Sequence, residues 1–501
     1  QGDVVSREQL ETAVWAEQVT GYDALTTCLT RLRKALGDNS RQPQYIETVT
    51  KKGYRLIAPV HWDKSSKTHP VKKKGRSDGF IKKMSMLSAF VLMSISVLLY
   101  SFNKKNSDSP ISLEKPPSIA IFKFENLSYV ANQAYFSNGI TADIRTALSK
   151  VSGLQVIATP SDQLQNNNTG SIQDIHYSLL GSVQRADNTL RVNVRLIDNT
   201  TRHQLWAESY DREVTEIFKV QDAITSQIVS TLSIKLTEEE KRRISQKFTR
   251  SIEAYDFFLK GQSLYVQYTK TANLMARQYF QKAIETDPAF ARAYGAQSLT
   301  YADAYRYHWD SDNENSLAIA ITLAEKAVSI DKELPQSHWA LAYARVNQHK
   351  YNLATESANQ SLALNPNYTD GSATLAESYI YNGNESKGVK ILRNVMHLNP
   401  YYPAPYASLL GQAYYLLGEN EKALSSLQDA MEKNYNLRTS HVMLIATLSR
   451  LGMKDEAEWA SEQLDIIAPD FTLNDISRMF PINDKNKQQN IIDNLRLAGI
   501  K

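Results

Sequence analysis

Residues Met84 to Phe102 read MSMLSAFVLMSISVLLYSF, nineteen positions without a charge, with Lys82 and Lys83 before them and Lys104 and Lys105 after. As a helix rising about 1.5 Å per residue, this run covers most of a hydrocarbon core roughly 30 Å thick. It predicts one transmembrane helix and two soluble parts in different compartments. Lys72, Lys73, Lys74, Arg76, Lys82 and Lys83 on one side outweigh Lys104, Lys105 and Lys115 on the other, which places the N-terminal side in the cytoplasm. The run starts far from residue 1 and ends without an A-x-A-like site, so it does not read as a cleaved signal peptide.

A chain of 501 residues leaves room for about three domains around such a span. Its net charge of +4 carries little meaning, because the basic excess is local: residues 59–83 hold eight Lys and Arg against Asp63 and Asp78. That stretch reads as a basic tether able to lie against anionic lipid. Cys28 is the one cysteine, which excludes an intrachain disulfide. The chain opens on Gln1 close to a helix start and reads as N-terminally truncated.

Ser6-Arg7-Glu8-Gln9 has the form of a capping box, ahead of Leu10, Ala13, Val14 and Trp15 at helical spacing. A second helix is predicted from about Asp23 to Leu36, ending at Gly37, with an apolar stripe of Leu25, Leu29, Leu32 and Leu36. Its other side offers Thr27, Thr30, Arg31 and Lys34, with Arg33 beside them. Residues 45–49 and 54–57 then bracket Thr50, Lys51, Lys52 and Gly53, a β-hairpin with a basic tip. Two helices and a basic hairpin make a winged helix-turn-helix. Arg and Thr on the second helix suit base edges in a major groove, and lysines at a hairpin tip suit phosphates. Any one of these cations alone is an ordinary solvated side chain; the combination points to DNA.

The stretches SREQLETAVW, LTRLRKALGD and YIETVTKKGYRL are similar to the OmpR/PhoB-type DNA-binding domain across residues 1–58. The resemblance implies DNA contacts from Thr27, Cys28, Arg31 and Lys34 on the helix, and from Thr50, Lys51 and Lys52 on the wing. The family often has a basic residue then glycine where Thr50 and Lys51 stand, and histidine at Cys28. These departures bear on DNA sequence preference rather than fold.

Beyond Pro116 and Pro117, a strand begins at Ser118, and Ala134 to Lys150 forms an amphipathic helix through Ile140, Ile144 and Leu148. Residues 177–185 and 190–197 pair as strands across Ala186-Asp187-Asn188, with Leu190, Val192, Val194 and Leu196 on one buried face. Asp211, Arg212 and Asp222 read as pairing and capping groups rather than catalytic ones. The segments SIAIFKFENLS and LLGSVQRADNTLRVNVRLIDNTT resemble an α/β domain found beside winged helices and TPR repeats in bacterial regulators, and also next to adenylate cyclase domains.

From about residue 253 to 470 the chain repeats. Asn365-Pro366 and Asn399-Pro400 lie 34 residues apart, and continuing by about 34 reaches Asn434-Tyr435 and then Ala468-Pro469. Five residues before Pro288, Lys332, Pro366, Pro400 and Tyr435 stands a small or β-branched residue: Ala283, Ala327, Ser361, Val395 and Ala430. This resembles TPR in about five copies, with about ten residues inserted near His308-Trp309-Asp310. The clustered Tyr401, Tyr402, Tyr406, Tyr414 and Tyr415 read mostly as inter-repeat packing. The histidines show no metal spacing, and no P-loop or nucleophile-base set is present. The chain is therefore read as a non-enzyme without metal or cofactor.

The expected architecture is multidomain. It has a winged helix-turn-helix (1–60), a basic linker (61–83), one transmembrane helix (84–102), an α/β domain (116–236), an all-α TPR-like solenoid (253–470) and a C-terminal tail (471–501). That order resembles the CadC branch of ToxR-like regulators. The resemblance implies a one-component, membrane-anchored transcriptional regulator, single-pass in the bacterial inner membrane, with its C-terminal domain in the periplasm receiving a signal. Its implied partners are double-stranded promoter DNA, RNA polymerase, membrane lipid, a second copy in a homodimer, and a periplasmic or membrane co-sensor protein. The alternative reading is a periplasmic TPR scaffold for envelope assembly, which would not need DNA.

Overall fold

The small N-terminal sheet and the large C-terminal body fall in two units, residues 1–113 and 114–501. The computed structural model describes residues 4–6, 9, 29, 32–33, 36, 38, 43–49, 53–57, 116–128, 133–159 and 175–501. In the first unit, β1 (Val4–Val5), β2 (Ile46–Val49) and β3 (Gly53–Leu56) form an antiparallel sheet in the order β1-β3-β2. Ile46 faces Leu56 and Val49 faces Gly53, the register of the predicted hairpin.

The second unit begins with a mixed sheet. Its strands are β4 (Ser118–Phe122), β5 (Glu125–Asn126), β6 (Gln155–Thr159), β7 (Tyr177–Ala186), β8 (Thr189–Asp198) and β9 (Gln204–Glu213). The order is β6-β4-β7-β8-β9, with β5 on β7. The predicted turn between β7 and β8 holds Asp187 at φ 49°, a left-handed position that a short polar residue tolerates. Alternation divides β4: Ile119 and Ile121 face α1 (Ala134–Ser149) and α2 (Ile217–Thr231), while Ala120 and Phe122 join Ile157, Ile175 and Leu180 on the other side. The short α3 (Glu238–Ser245) starts in a full capping box made by Thr237 and Glu240.

Six helix pairs follow. They are α4 (Ile252–Tyr265) with α5 (Lys270–Thr286), α6 (Ala291–Arg306) with α7 (Asn313–Ile330), and α8 (Pro335–Asn347) with α9 (Tyr351–Leu364). Then come α10 (Thr369–Tyr381) with α11 (Glu385–Leu398), α12 (Ala404–Leu417) with α13 (Asn420–Lys433), and α14 (Arg438–Arg450) with α15 (Lys454–Ile467). One local device explains the 34-residue rhythm. The N–H of Asp287, Asp331, Asn365, Asn399 and Asn434 closes the preceding helix on the carbonyl of Ala283, Ala327, Ser361, Val395 and Ala430. Each Asp or Asn side chain then accepts from the N–H two residues on, an Asx-turn that reverses the chain. All five small or β-branched residues are buried. The insertion near Trp309 appears mainly as longer helices: α6 and α7 run 16 and 18 residues, against 13 and 14 for α10 and α11. Residues 471–501 carry α16 (Ile476–Met479) and α17 (Lys485–Leu497), with Ile491 and Leu495 buried in the core of the last repeats.

Two expectations are corrected. The α/β layer is not a separate domain: its core runs without a break from Ile140, Ile144 and Val220 into Tyr255, Phe258, Leu259, Phe280 and Phe290 of the first repeats. The reason is steric. Gly139 on α1 lets α4 approach so closely that an added Cβ would lie 2.4 Å from Leu259 Cδ2. The second concerns the expected transmembrane helix, with its single-pass inner-membrane placement and periplasmic C-terminal domain. Among the described residues no helix is long and apolar enough to cross a membrane, and residues 84–102 lie outside them.

Candidate nucleic-acid interface

The first-helix start is built as the sequence predicts. Ser6 N–H donates to Gln9 Oε1 at 2.9 Å, and Gln9 N–H donates to Ser6 Oγ at 3.2 Å. The reciprocal pair satisfies two N–H groups that a helix end leaves open.

Leu29, Leu32, Arg33 and Leu36 are helical, as the second-helix reading requires. Asp38 then turns the chain. Its N–H donates to Arg33 O at 2.9 Å, closing the helix end. Its carboxylate accepts from the N–H groups of Gln44 (2.7 Å), Tyr45 (3.3 Å) and Ile46 (2.8 Å), at the start of β2. Arg33 completes the joint from the helix side, with Nη2 donating to Ile46 O at 3.0 Å and to Thr48 Oγ1 at 2.8 Å. Arg55 and Glu47, directly opposite in the hairpin, pair through Nε and Nη2 at 2.8 and 2.6 Å. Helix end and wing strands are thus one hydrogen-bonded piece.

Of the nine residues predicted to contact DNA, the structure describes Arg33, and its guanidinium is engaged with β2. Thr27, Cys28, Thr30, Arg31, Lys34, Thr50, Lys51 and Lys52 lie outside the described residues. Sequence reasoning passed over Asp38. Its signal was present: an acidic residue after a helix-stopping glycine and just ahead of a strand is well placed to cap the turn. The predicted apolar stripe is partly open, with Leu32 47% and Leu36 40% exposed, while Ile46 is buried at 5%.

In the second unit, the acidic and basic residues set aside as structural do pair. Arg191 Nε meets Asp211 Oδ1 at 2.6 Å across β8 and β9, Arg212 donates to Asp211 O, and Lys247 reaches Asp222 at 3.0 Å. Of the clustered tyrosines, Tyr406 donates across repeats to Asp370, Tyr402 donates within its own helix pair to Asp429, and Tyr415 donates to Asn490 on the C-terminal α17. Among the described residues no group of three or more His, Cys, Asp or Glu is placed to hold a metal ion.

Residues 1–56 match the family model of the transcriptional regulatory protein, C terminal. The cholera toxin transcriptional activator of Vibrio cholerae is 47% identical over 60 residues, 12% of this chain and 20% of that protein. The transcriptional activator CadC of Escherichia coli is 42% identical over 62 residues, 12% of each. A candidate adenylate cyclase of Rhizobium meliloti is 38% identical over 244 residues, 48% of this chain and 42% of that protein. The chain spans less than half the length of each of these relatives. Among solved structures, a thermophilic TPR protein of Thermus thermophilus is similar over 40% of this chain and 99% of that chain, at 22% identity and a TM-score of 0.31. The N-terminal end of the chain is an OmpR/PhoB-type DNA-binding domain similar to those of ToxR- and CadC-like activators, which supports a DNA-binding transcription regulator.

Proposed function

We propose that the chain is a one-component transcription regulator, reading promoter DNA with its first unit and receiving a signal on its second. Thr27, Cys28, Thr30, Arg31 and Lys34 make the major-groove contacts, and Thr50, Lys51 and Lys52 the wing contacts to phosphates. Arg33 is a positioning residue that holds wing to helix. Two copies bind adjacent half-sites, so that each raises the other's effective concentration, and the bound dimer recruits RNA polymerase. The observation that carries this reading is the joint of Arg33 and Asp38, which fixes a hairpin of winged-helix register on the end of the helix.

Genomic selection with the full chain tests it. A recurring half-site should emerge, and Arg31→Ala and Lys34→Ala should each weaken its binding about tenfold or more, in the range of a lost base or phosphate contact. Recovery of fragments with no shared motif overturns the reading.

A further inference from the structure

The first helices of successive repeats line a cavity of about 260 Å³ inside the coil. Its mouth is drawn in by two contacts between distant repeats. Asn434 Nδ2 donates to Val266 O, and Arg438 Nη1 donates to Tyr307 O, each at 3.3 Å. Such a volume lies just under the usual range for drug-sized ligands and is too small for an extended peptide.

Its wall is mainly aromatic and apolar, with a few polar groups of which one is incompletely satisfied. Arg306, 5% exposed, donates from Nε to Asn347 Oδ1 at 2.9 Å and pairs through Nη1 with Glu377 Oε1 at 2.8 Å. Its Nη2 has no acceptor among the described residues. The guanidinium stacks 4.6 Å from the Tyr343 ring centroid, and Tyr343 donates its hydroxyl to Asp303 at 2.6 Å. Trp339 is held by Nε1 donating to Thr374 Oγ1 at 3.0 Å. A buried donor left without a partner beside a mainly apolar cavity with a few placed polar groups marks a place for a ligand atom.

Charge narrows the chemistry. Arg306 is already matched by Glu377, while Asp303 and Asp370 also line the cavity, so an added anion would face carboxylates with no cation of the lining left to meet it. An added cation would offer no lone pair to Arg306 Nη2. Hydroxyl groups satisfy both demands, accepting from the guanidinium and donating to carboxylates. The Trp339 ring in the same lining suits the C–H face of a saturated ring. We propose that this cavity binds a small, uncharged, polyhydroxylated ring compound of monosaccharide size, which goes beyond the DNA-binding reading.

Calorimetry of the full chain with D-glucose, N-acetyl-D-glucosamine and myo-inositol tests the proposal, with sodium succinate and putrescine as charged comparators. Saturable one-site binding is expected for at least one of the three. Arg306→Lys and Trp339→Leu should each weaken it tenfold or more with an unchanged far-UV spectrum. Should Arg306→Lys fail to fold, Trp339→Leu decides. Binding by none of the three, binding of a comparator alone, or binding that survives Trp339→Leu overturns the proposal. No DNA enters the measurement, so its failure leaves the DNA-binding reading standing.

Discussion

Asp143 on α1 accepts from Arg292 on α6 at 2.6 Å through one carboxylate oxygen and from the Tyr255 hydroxyl on α4 through the other. The pair is 6% and 11% exposed, so it ties sheet layer to repeats inside the core. Removing one partner of a buried pair leaves an uncompensated charge, a cost of about 3–5 kcal/mol. Asp143→Ala should therefore lower the urea midpoint of the second unit strongly. Far-UV circular dichroism and Trp fluorescence should shift together, because layer and repeats share the core.

Gly139 is the steric counterpart of that tie. Gly139→Ala places a methyl against Leu259 and is expected to destabilise by about 1–3 kcal/mol through overpacking. Adding Leu259→Ala should cost less in that background than in the parent chain. A double-mutant cycle by chemical denaturation measures the coupling, and simple additivity would remove the contact from the account.

Glu240 predicts acid sensitivity. Burial raises its carboxyl, but N–H and hydroxyl donors from Ser152 and Thr237 outweigh this and hold it at about 2, below the ordinary 4.5. A carboxylate lowered in the folded state contributes stability above pH 4.5 that is lost as pH falls towards 2. Glu240→Gln should flatten the profile in that window, read as melting temperature against pH.

His441 acts in a higher window. Burial pushes its imidazole down to about 4, against the opposing pull of its hydrogen bond to Tyr435 O. The ring is neutral in the fold, and the unfolded chain takes up the proton near 6.5. Stability is then full above pH 6.5 and declines towards pH 4, by an amount on the order of 3 kcal/mol. His441→Gln should lose this decline while keeping the steeper fall below pH 4.5.

Arg33 and Lys51 should separate by salt. Lys51→Ala removes a proposed phosphate contact and should reduce the slope of log affinity against log salt by about 1. Arg33→Ala should instead loosen the wing, weakening binding with little change in slope and lowering the melting temperature of the first unit.

Local features were legible where one short stretch determines them. Ser6 and Gln9 form their capping box, 46–49 pairs with 53–56, and Asp187 makes its turn, because each needs only neighbours in sequence. The Asn-Pro spacing exposed the repeats, since every Asx-turn recurs at one position. What stayed hidden depends on partners far along the chain. Strand β9 carries mostly exposed residues, so no alternation betrays it. Nothing near Gly139 or Asp143 announces Leu259 or Arg292, more than a hundred residues away, so the layer read as a domain of its own. The Arg306 cavity was equally silent, since its walls come from separate repeats.

The seam at Gly139 has a practical meaning for anyone recombining such chains. Cut between α3 and α4, the sheet layer would bare the patch meant for Leu259 and Phe258, and the repeats would lose their first lid. The smallest transplantable cassette is the layer together with its first two helix pairs, because Arg292 on α6 completes the buried pair with Asp143, so grafts joined inside that seam should aggregate where those joined after α7 stay dispersed.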